Sequence, residues 1–231
     1  MDVTEAFITA ASPGVISRFL ENQYYASHEA YLYALADAMK IEYDAIYQGG
    51  FLLQLDCPDL TGGRNIPGAQ KGLNYVALHI ETLNYAVRDI PADRMRLHLC
   101  WGNYEGPHHK DAPLRDILDI VLQARPAGLS FEAANPRHEH EWKVFEEVKL
   151  PGGKVLIPGV LDSTTNFIEH PELVAQRITR FASLVGRENV IAGTDCGFAT
   201  FAGFHTVDPK ISWAKLQAMA EGAHIASQQL W

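Results

Sequence analysis

Residues 95–100, MRLHLC, decide how the fold is read. The run is short, apolar at alternate and adjacent positions, and bounded by polar stretches, as expected of a strand buried between layers. It ends on His98 and Cys100, two apart, so in an extended chain both side chains point to one face. Runs of the same kind occur at 51–56 (FLLQLD), 127–132 (AGLSFE), 154–161 (KVLIPGVL) and 189–193 (NVIAG). Amphipathic stretches between and after them predict helices near 69–89, 113–124, 138–148, 170–186 and 209–228. An earlier helix over 28–48 has Ser27 as N-cap and Gly49-Gly50 as its stop, and a weaker strand lies near 5–10.

Alternation of strand and helix implies parallel strands joined by crossover helices. The strand ends at Asp56, Cys100, Glu132, Asp162 and Asp195 recur every ~30–45 residues, the length of a βα unit. An open doubly wound sheet and a closed barrel both fit that spacing. Polar residues at the C-terminal ends of many successive strands favour the barrel, which gathers all those ends around one mouth. The expectation is therefore an α/β chain of the (β/α)8 TIM-barrel type. The count reaches at most six βα units, so the barrel is expected to lack about two N-terminal units. No linker or low-complexity segment divides the chain, which reads as a single domain over residues 1–231.

The chain has 231 residues and a formal net charge of -9, without the Lys/Arg clusters that nucleic-acid backbones reward. Its three cysteines, Cys57, Cys100 and Cys196, are too few and too scattered for a disulfide framework. The start, MDVTEAFITAASPG, lacks the basic and apolar regions of a signal peptide. No segment approaches the roughly 20 apolar residues that span a bilayer. The expectation is a cytoplasmic protein with free thiols, no nucleic-acid partner and no membrane partner.

His98, Cys100, Glu132 at the end of AGLSFE, and Cys196 in NVIAGTDCGF all stand at or just after strand ends. Closure into a barrel would bring them to one point. Two thiolates, an imidazole and a carboxylate are a reasonable tetrahedral set for zinc. Each residue also has a plainer reading, since buried cysteine commonly serves as a small hydrophobe and a strand-end glutamate as a solvated group. The residues alone leave the two open.

Four segments in order, LHLCWGN (97–103), AGLSFEAANPRHEHEW (127–142), VLIPGVLDSTTNFIEHPELVAQRI (155–178) and ENVIAGTDCGFATFAGF (188–204), resemble the catalytic domain of cobalamin-independent methionine synthase. The resemblance is closer to the shorter single-domain proteins of that superfamily, which includes the epoxyalkane:coenzyme M transferases. It covers nearly the whole chain. It implies a (β/α)8 barrel holding Zn2+ through His98, Cys100, Glu132 and Cys196. The zinc would keep a small-molecule thiol substrate, homocysteine or a relative, in its thiolate form for attack on an alkyl donor. The resemblance also implies that Asp56 binds the amino group of the substrate and that Ser12 lies in a substrate loop. A carboxylate capping its own turn is the alternative for Asp56.

One departure from the family stands at residues 162–166, Asp-Ser-Thr-Thr-Asn. Asp162 is in place, but Thr164 occupies the position of the synthase histidine thought to act as acid. His170 is the substitute on offer, though within IEHPEL it equally suits a helix start ahead of Pro171. The departure opens the choice of donor between a methyltetrahydrofolate-type compound and an epoxide. Missing strands also leave room for a non-catalytic zinc-binding fragment, and exposed sheet edges would favour a homo-oligomer. Metal-dependent hydrolysis fits less well, because such sites prefer histidines and carboxylates to cysteines. Asp59 reads as a turn residue, and Cys57 points away from Asp56. His138 and His140 diverge by about 200° on a helix and cannot share a metal, although Arg137 or His138 could face substrate. His108-His109 form a polar loop without an assigned role. Trp101, Asn103 and Phe198 adjoin ligand positions and could line the pocket, with packing as the plainer reading.

Overall fold

A computed structural model describes residues 4–61, 72–199, 202–203 and 206–231. The chain forms two compact units, Met1–Leu99 with Lys110–Gly128, and Cys100–His109 with Leu129–Trp231. The described residues contain six strands and six α-helices, and they do not include the eight units of a closed barrel. No helix among them is long and apolar enough to cross a membrane.

The first unit is built on three parallel strands, β1 (Phe7–Ala11), β2 (Leu52–Asp56) and β3 (Met95–Leu99), ordered β1-β2-β3. Their register sets Gln54 opposite both Thr9 and Arg96, and Asp56 opposite both Ala11 and His98. Because strand faces alternate, Leu53, Leu55 and Leu97 fall on the other face and are fully buried. The Gln54 face is polar: Arg96 Nε donates to Gln54 Oε1 at 2.5 Å, and the same guanidinium lies 3.7 Å from the Phe7 ring centre.

Helix α1 (Pro13–Phe19) follows β1 at once and was not anticipated from the sequence. Its seven residues are too few to show a helical period, but the start carries two standard devices. Ser12 Oγ accepts a hydrogen bond from Val15 N at 2.9 Å, and Pro13 occupies the first helical position. Helix α2 spans His28–Gln48 with Ser27 as its N-cap, as expected. Gly49 caps its C-terminus and Gly50 turns the chain back with φ 85°. Helix α3 covers Leu73–Ala86, inside the expected 69–89; positions 69–71 lie outside the described residues. Helix α4 covers Leu114–Val121 and presents Leu114, Ile117, Leu118 and Val121 as one buried stripe.

In the second unit the strand order is β4 (Gly128–Phe131), β5 (Val155–Leu161) and β6 (Gly193–Thr194). Strand β5 pairs in parallel with β6, with an irregularity between Gly159 and Leu161. The last strand is shorter than the expected 189–193. A turn of 3-10 helix at Arg187–Asn189 takes up the approach, and Val190 makes only an isolated bridge to Leu156. Residues Glu139–Glu146 also differ from expectation, forming 3-10 rather than α-helix. There His138 and Glu141 are paired across three residues at 2.7 Å, a spacing that 3-10 geometry eclipses.

Helices α5 (Pro171–Val185) and α6 (Pro209–Leu230) pack together over a core of Val160, Leu161, Val174, Ile178 and Ala226. Phe131, Phe145 and Phe181 form a second cluster with ring centres 5.7–5.9 Å apart. Buried Lys215 of α6 donates to Glu169 Oε2 at 2.7 Å, while Glu169 Oε1 accepts from Asp162 N at 2.8 Å. The pair therefore ties α6 to Asp162, the residue that follows β5. Helices α5 and α6 are tightly packed at Gly222, where a Cβ would lie 2.5 Å from Val174 Cβ and 2.7 Å from Pro171 O. Gly222→Ala should accordingly lower stability by about 1–3 kcal/mol through overpacking, despite alanine's better helix propensity. Urea unfolding followed by circular dichroism measures it, and an unchanged or raised midpoint would refute the tight contact.

Candidate functional site

In the second unit, three of the residues singled out by sequence come together. Cys196 Sγ lies 3.4 Å from Cys100 Sγ and 3.5 Å from Glu132 Oε1. His98, at the end of β3, is buried and stands two residues before Cys100. Within the second unit the donor atoms of Cys100 and Cys196 lie within 4.8 Å of one another. Burial, with Arg96 adding to it, pushes the His98 imidazole down to about 4. A neutral imidazole is the form a metal binds.

Local structure explains how these groups are held. Glu132 leaves the end of β4 with Oε1 accepting from Trp101 N at 2.6 Å and Oε2 from Asn135 Nδ2 at 2.9 Å. The Glu132 turn is itself clamped by Asp195, a residue with no role assigned from sequence. Its Oδ1 accepts from Ala133 N and Ala134 N, both at 2.8 Å, and its Oδ2 from the backbone N and side-chain Nδ2 of Asn135, both at 2.9 Å. Burial and the neighbouring Glu132 raise the Asp195 carboxyl to about 7, against the pull of those donors. Room for Asp195 is made by Gly159, whose missing Cβ would fall on Asp195 Oδ1. Burial also raises Glu132, while the hydrogen bond to Cys100, then burial, raises the Cys196 thiol.

The loop after Cys100 is bound into the same unit by Asn103. Its backbone takes φ 44°, a left-handed conformation uncommon outside glycine. Its side chain donates to Gly197 O at 2.8 Å and accepts from Ser163 Oγ at 2.6 Å. Ser163 Oγ in turn accepts from Cys196 N at 3.1 Å. Asn103, read as packing from sequence, is thus a hydrogen-bonding link between the segments that bear Cys100 and Cys196. Trp101 stacks on His138 at 4.3 Å.

A cavity of about 410 Å³ adjoins the cluster, with Glu132, Asp162, Thr164, His108 and Arg137 among its lining residues. Asp162 Oδ1 accepts from both the backbone N and the hydroxyl of Thr164, each at 2.8 Å. His170 is elsewhere: it is the N-cap of α5, with Nδ1 accepting from Glu172 N at 3.2 Å, and it does not line the cavity.

Asp56 and Ser12 belong to the first unit and are adjacent there, Ser12 N donating to Asp56 O at 3.1 Å. Ser12 Oγ donates to Asp59 Oδ1 at 2.7 Å, and Asp59 Oδ2 lies 2.7 Å from His79 Nδ1. The far nitrogen of His79 meets Nε2 of His28 at 3.2 Å. Asp59 stands in a turn, as expected, and is at the same time a buried hub. Its partner His79 lies 20 residues away and has no local signature in the sequence. Cys57 is wholly buried, away from Asp56.

The described residues form a parallel α/β chain whose second unit brings two thiols and a carboxylate together near strand ends. Residues 17–223 match the family model "Cobalamin-independent synthase, Catalytic domain". The chain belongs to that family. It is 25% identical over 224 residues to a methionine synthase of Thermococcus kodakarensis, covering 96% of this chain and 58% of that protein. Identity to a methionine synthase of Saccharolobus solfataricus is 25% over 227 residues, covering 96% and 59%. A structure of a B12-independent methionine synthase from Shewanella sp. W3-18-1, in complex with selenomethionine, superposes with a TM-score of 0.75. It shares 19% identity and is matched over 96% of this chain and 62% of that one. The chain thus spans about three fifths of the length of these relatives.

The chemistry of Asp56 gives a stability test. Burial, then repulsion from Asp59, raises its carboxyl from 3.8 to about 6. A raised folded value means the folded protein holds this proton more tightly than the unfolded chain. The contribution favours folding below about pH 4 and is lost as pH rises through about 6. Asp56→Asn should therefore stabilise the protein at neutral pH by up to about 3 kcal/mol and flatten its pH dependence over that window. Urea titrations on either side of the window measure the difference; equal loss of stability by parent and variant as pH rises would refute it.

Proposed function

We propose that the chain is the zinc-binding catalytic part of a methyltransferase. The reaction we assign moves a methyl group from a methyltetrahydrofolate-type donor to the sulfur of homocysteine or a related thiol. The observation that carries this reading is the buried contact of Cys100, Cys196 and Glu132. Around zinc, ordinary bond lengths give tetrahedral edges of about 3.8 Å between two sulfurs and about 3.5 Å between sulfur and oxygen. The separations of 3.4 and 3.5 Å fit that donor set, and we assign His98 as its fourth member. The set is soft and sulfur-rich, which suits zinc better than magnesium or calcium.

Bound zinc would supply Lewis acidity that lowers the pKa of a thiol, so that a sulfur nucleophile exists at neutral pH. The protein's own groups do the rest. Trp101 N and Asn135 Nδ2 fix both oxygens of Glu132, so its carboxylate is oriented before any ligand arrives. Asp56 is anionic above about pH 6 and is proposed, with Ser12, to take the amino-acid end of the thiol. Asp162, steadied by Thr164, is assigned to the cavity that receives the donor. His170 caps a helix and is not needed for this reading. We take as the context of the site a barrel of the (β/α)8 type short of about two βα units, within a single domain over residues 1–231. No observation favours epoxide opening or a non-catalytic fragment.

Metal analysis of the purified protein beside Cys100→Ser and Cys196→Ser tests the site. The expected result is about one zinc per chain in the parent and well below half of that in each variant. Formation of methionine from homocysteine should be lost in both. A parent that carries no zinc after purification without chelators would overturn the proposal.

A further inference from the structure

Asp59 is tied into the first unit more firmly than a turn residue needs to be. It is buried and commits both carboxylate oxygens inside the protein, Oδ1 to Ser12 Oγ and Oδ2 to His79 Nδ1, each at 2.7 Å. A carboxylate oxygen accepts, so Nδ1 carries the hydrogen. That leaves Nε2 of His79 to accept from Nε2 of half-buried His28 at 3.2 Å. Tyr75 packs on both imidazoles, its ring centre 3.9 Å from that of His79 and 5.8 Å from that of His28.

Room is made for this arrangement, and it has a cost. A Cβ on Gly14 would overlap both Asp59 Oδ2 and His79 Nδ1, so glycine lets the first turn of α1 pass over the pair. Asp59 also adds to burial in raising the carboxyl of Asp56, three residues earlier, so a second buried acid here is unfavourable by itself. Apolar side chains of the same shape would serve folding as well. What the network fixes is Ser12. Ser12 N donates to Asp56 O at 3.1 Å, and Ser12 Oγ accepts from Val15 N at 2.9 Å. A hydroxyl has one hydrogen, and Asp59 takes it. The rotation of the Ser12 hydroxyl is thereby set, at the residue that joins the end of β2 to the start of α1.

We propose that Asp59 and His79 are positioning residues for the amino-acid end of the thiol substrate, acting through Ser12. The inference rests on the binding role assigned above to Asp56 and Ser12. His79 holds Asp59, Asp59 holds the Ser12 hydroxyl, and Ser12 keeps its place against the Asp56 backbone. Neither Asp59 nor His79 needs to touch the substrate.

Calorimetric titration of the zinc-loaded protein tests the role, with L-homocysteine and with 2-mercaptoethanol, a thiol that has no amino or carboxyl group. His79→Leu and Asp59→Ala should each weaken homocysteine binding by about 10–100-fold, the scale of one hydrogen bond to a charged group. The dissociation constant for 2-mercaptoethanol should stay within about twofold of the parent's, because that thiol has no end for the network to place. His79→Asn, whose amide can donate to Asp59 as Nδ1 does, should bind homocysteine within about threefold of the parent. Ser12→Ala should match the loss in His79→Leu, and the two changes together should lose little more than either alone. Equal weakening of both thiols, parental homocysteine affinity in His79→Leu, or no recovery in His79→Asn would overturn the positioning role. A parent that binds homocysteine, with variants in the expected pattern, but forms no methionine supports the role and overturns the assigned reaction alone. A zinc-loaded parent that binds no homocysteine would overturn both.

Discussion

A single carboxylate, that of Asp195, governs the shape of the cluster. It accepts four hydrogen bonds from three consecutive residues, Ala133 to Asn135, and so fixes the turn that follows Glu132. Because Asp195 immediately precedes Cys196, the group that sets the turn and the thiol that meets Glu132 move as one piece. A buried carboxylate with several amide donors is well satisfied, and leaving those donors unpaired would cost more than the carboxylate's own desolvation relieves. Gly159 is the complementary constraint, since any side chain there would occupy the space of the carboxylate.

Hydrogen bonding around the cluster makes a rigid frame for groups that have to be flexible in charge. Burial raises the proton affinity of Glu132, and the hydrogen bond to Cys100, then burial, raises that of Cys196. Three acidic groups so close together repel when ionised, and a dication is the simple counterweight. Matching over 96% of this chain at a TM-score of 0.75, with only 19% identity, is what that economy of means would leave. A fold can persist through strand spacing and a few fixed contacts while most side chains change.

Strand and helix spacing was legible because it is written locally. Helix α2 was expected over 28–48 and is found at His28–Gln48, with its cap and stop signals adjacent in the chain. The clustering of Cys100, Glu132 and Cys196 was legible for a similar reason, as reactive residue types repeated at strand ends. Helix α1 was missed because seven residues show no period. The span 138–148 was expected to be α-helical because composition does not separate 3-10 from α geometry. The last strand was expected too long because Val190 to Ala192 is apolar without being laddered. Asp59 and Asp195 escaped for another reason. Their partners lie 20 and about 60 residues away, so only folded contacts reveal that each is a hub.

Asn103 shows how misleading local comfort can be as a guide to tolerance. Glycine adopts a φ of 44° at no steric cost, so a change of Asn103 to glycine would ease the backbone. The same change would cut the two side-chain bonds that join Gly197 and Ser163 to the loop. The strained residue is the one that cannot be relaxed. At this position a substitution that looks gentlest in conformational terms is the one that unfastens the loop from its neighbours.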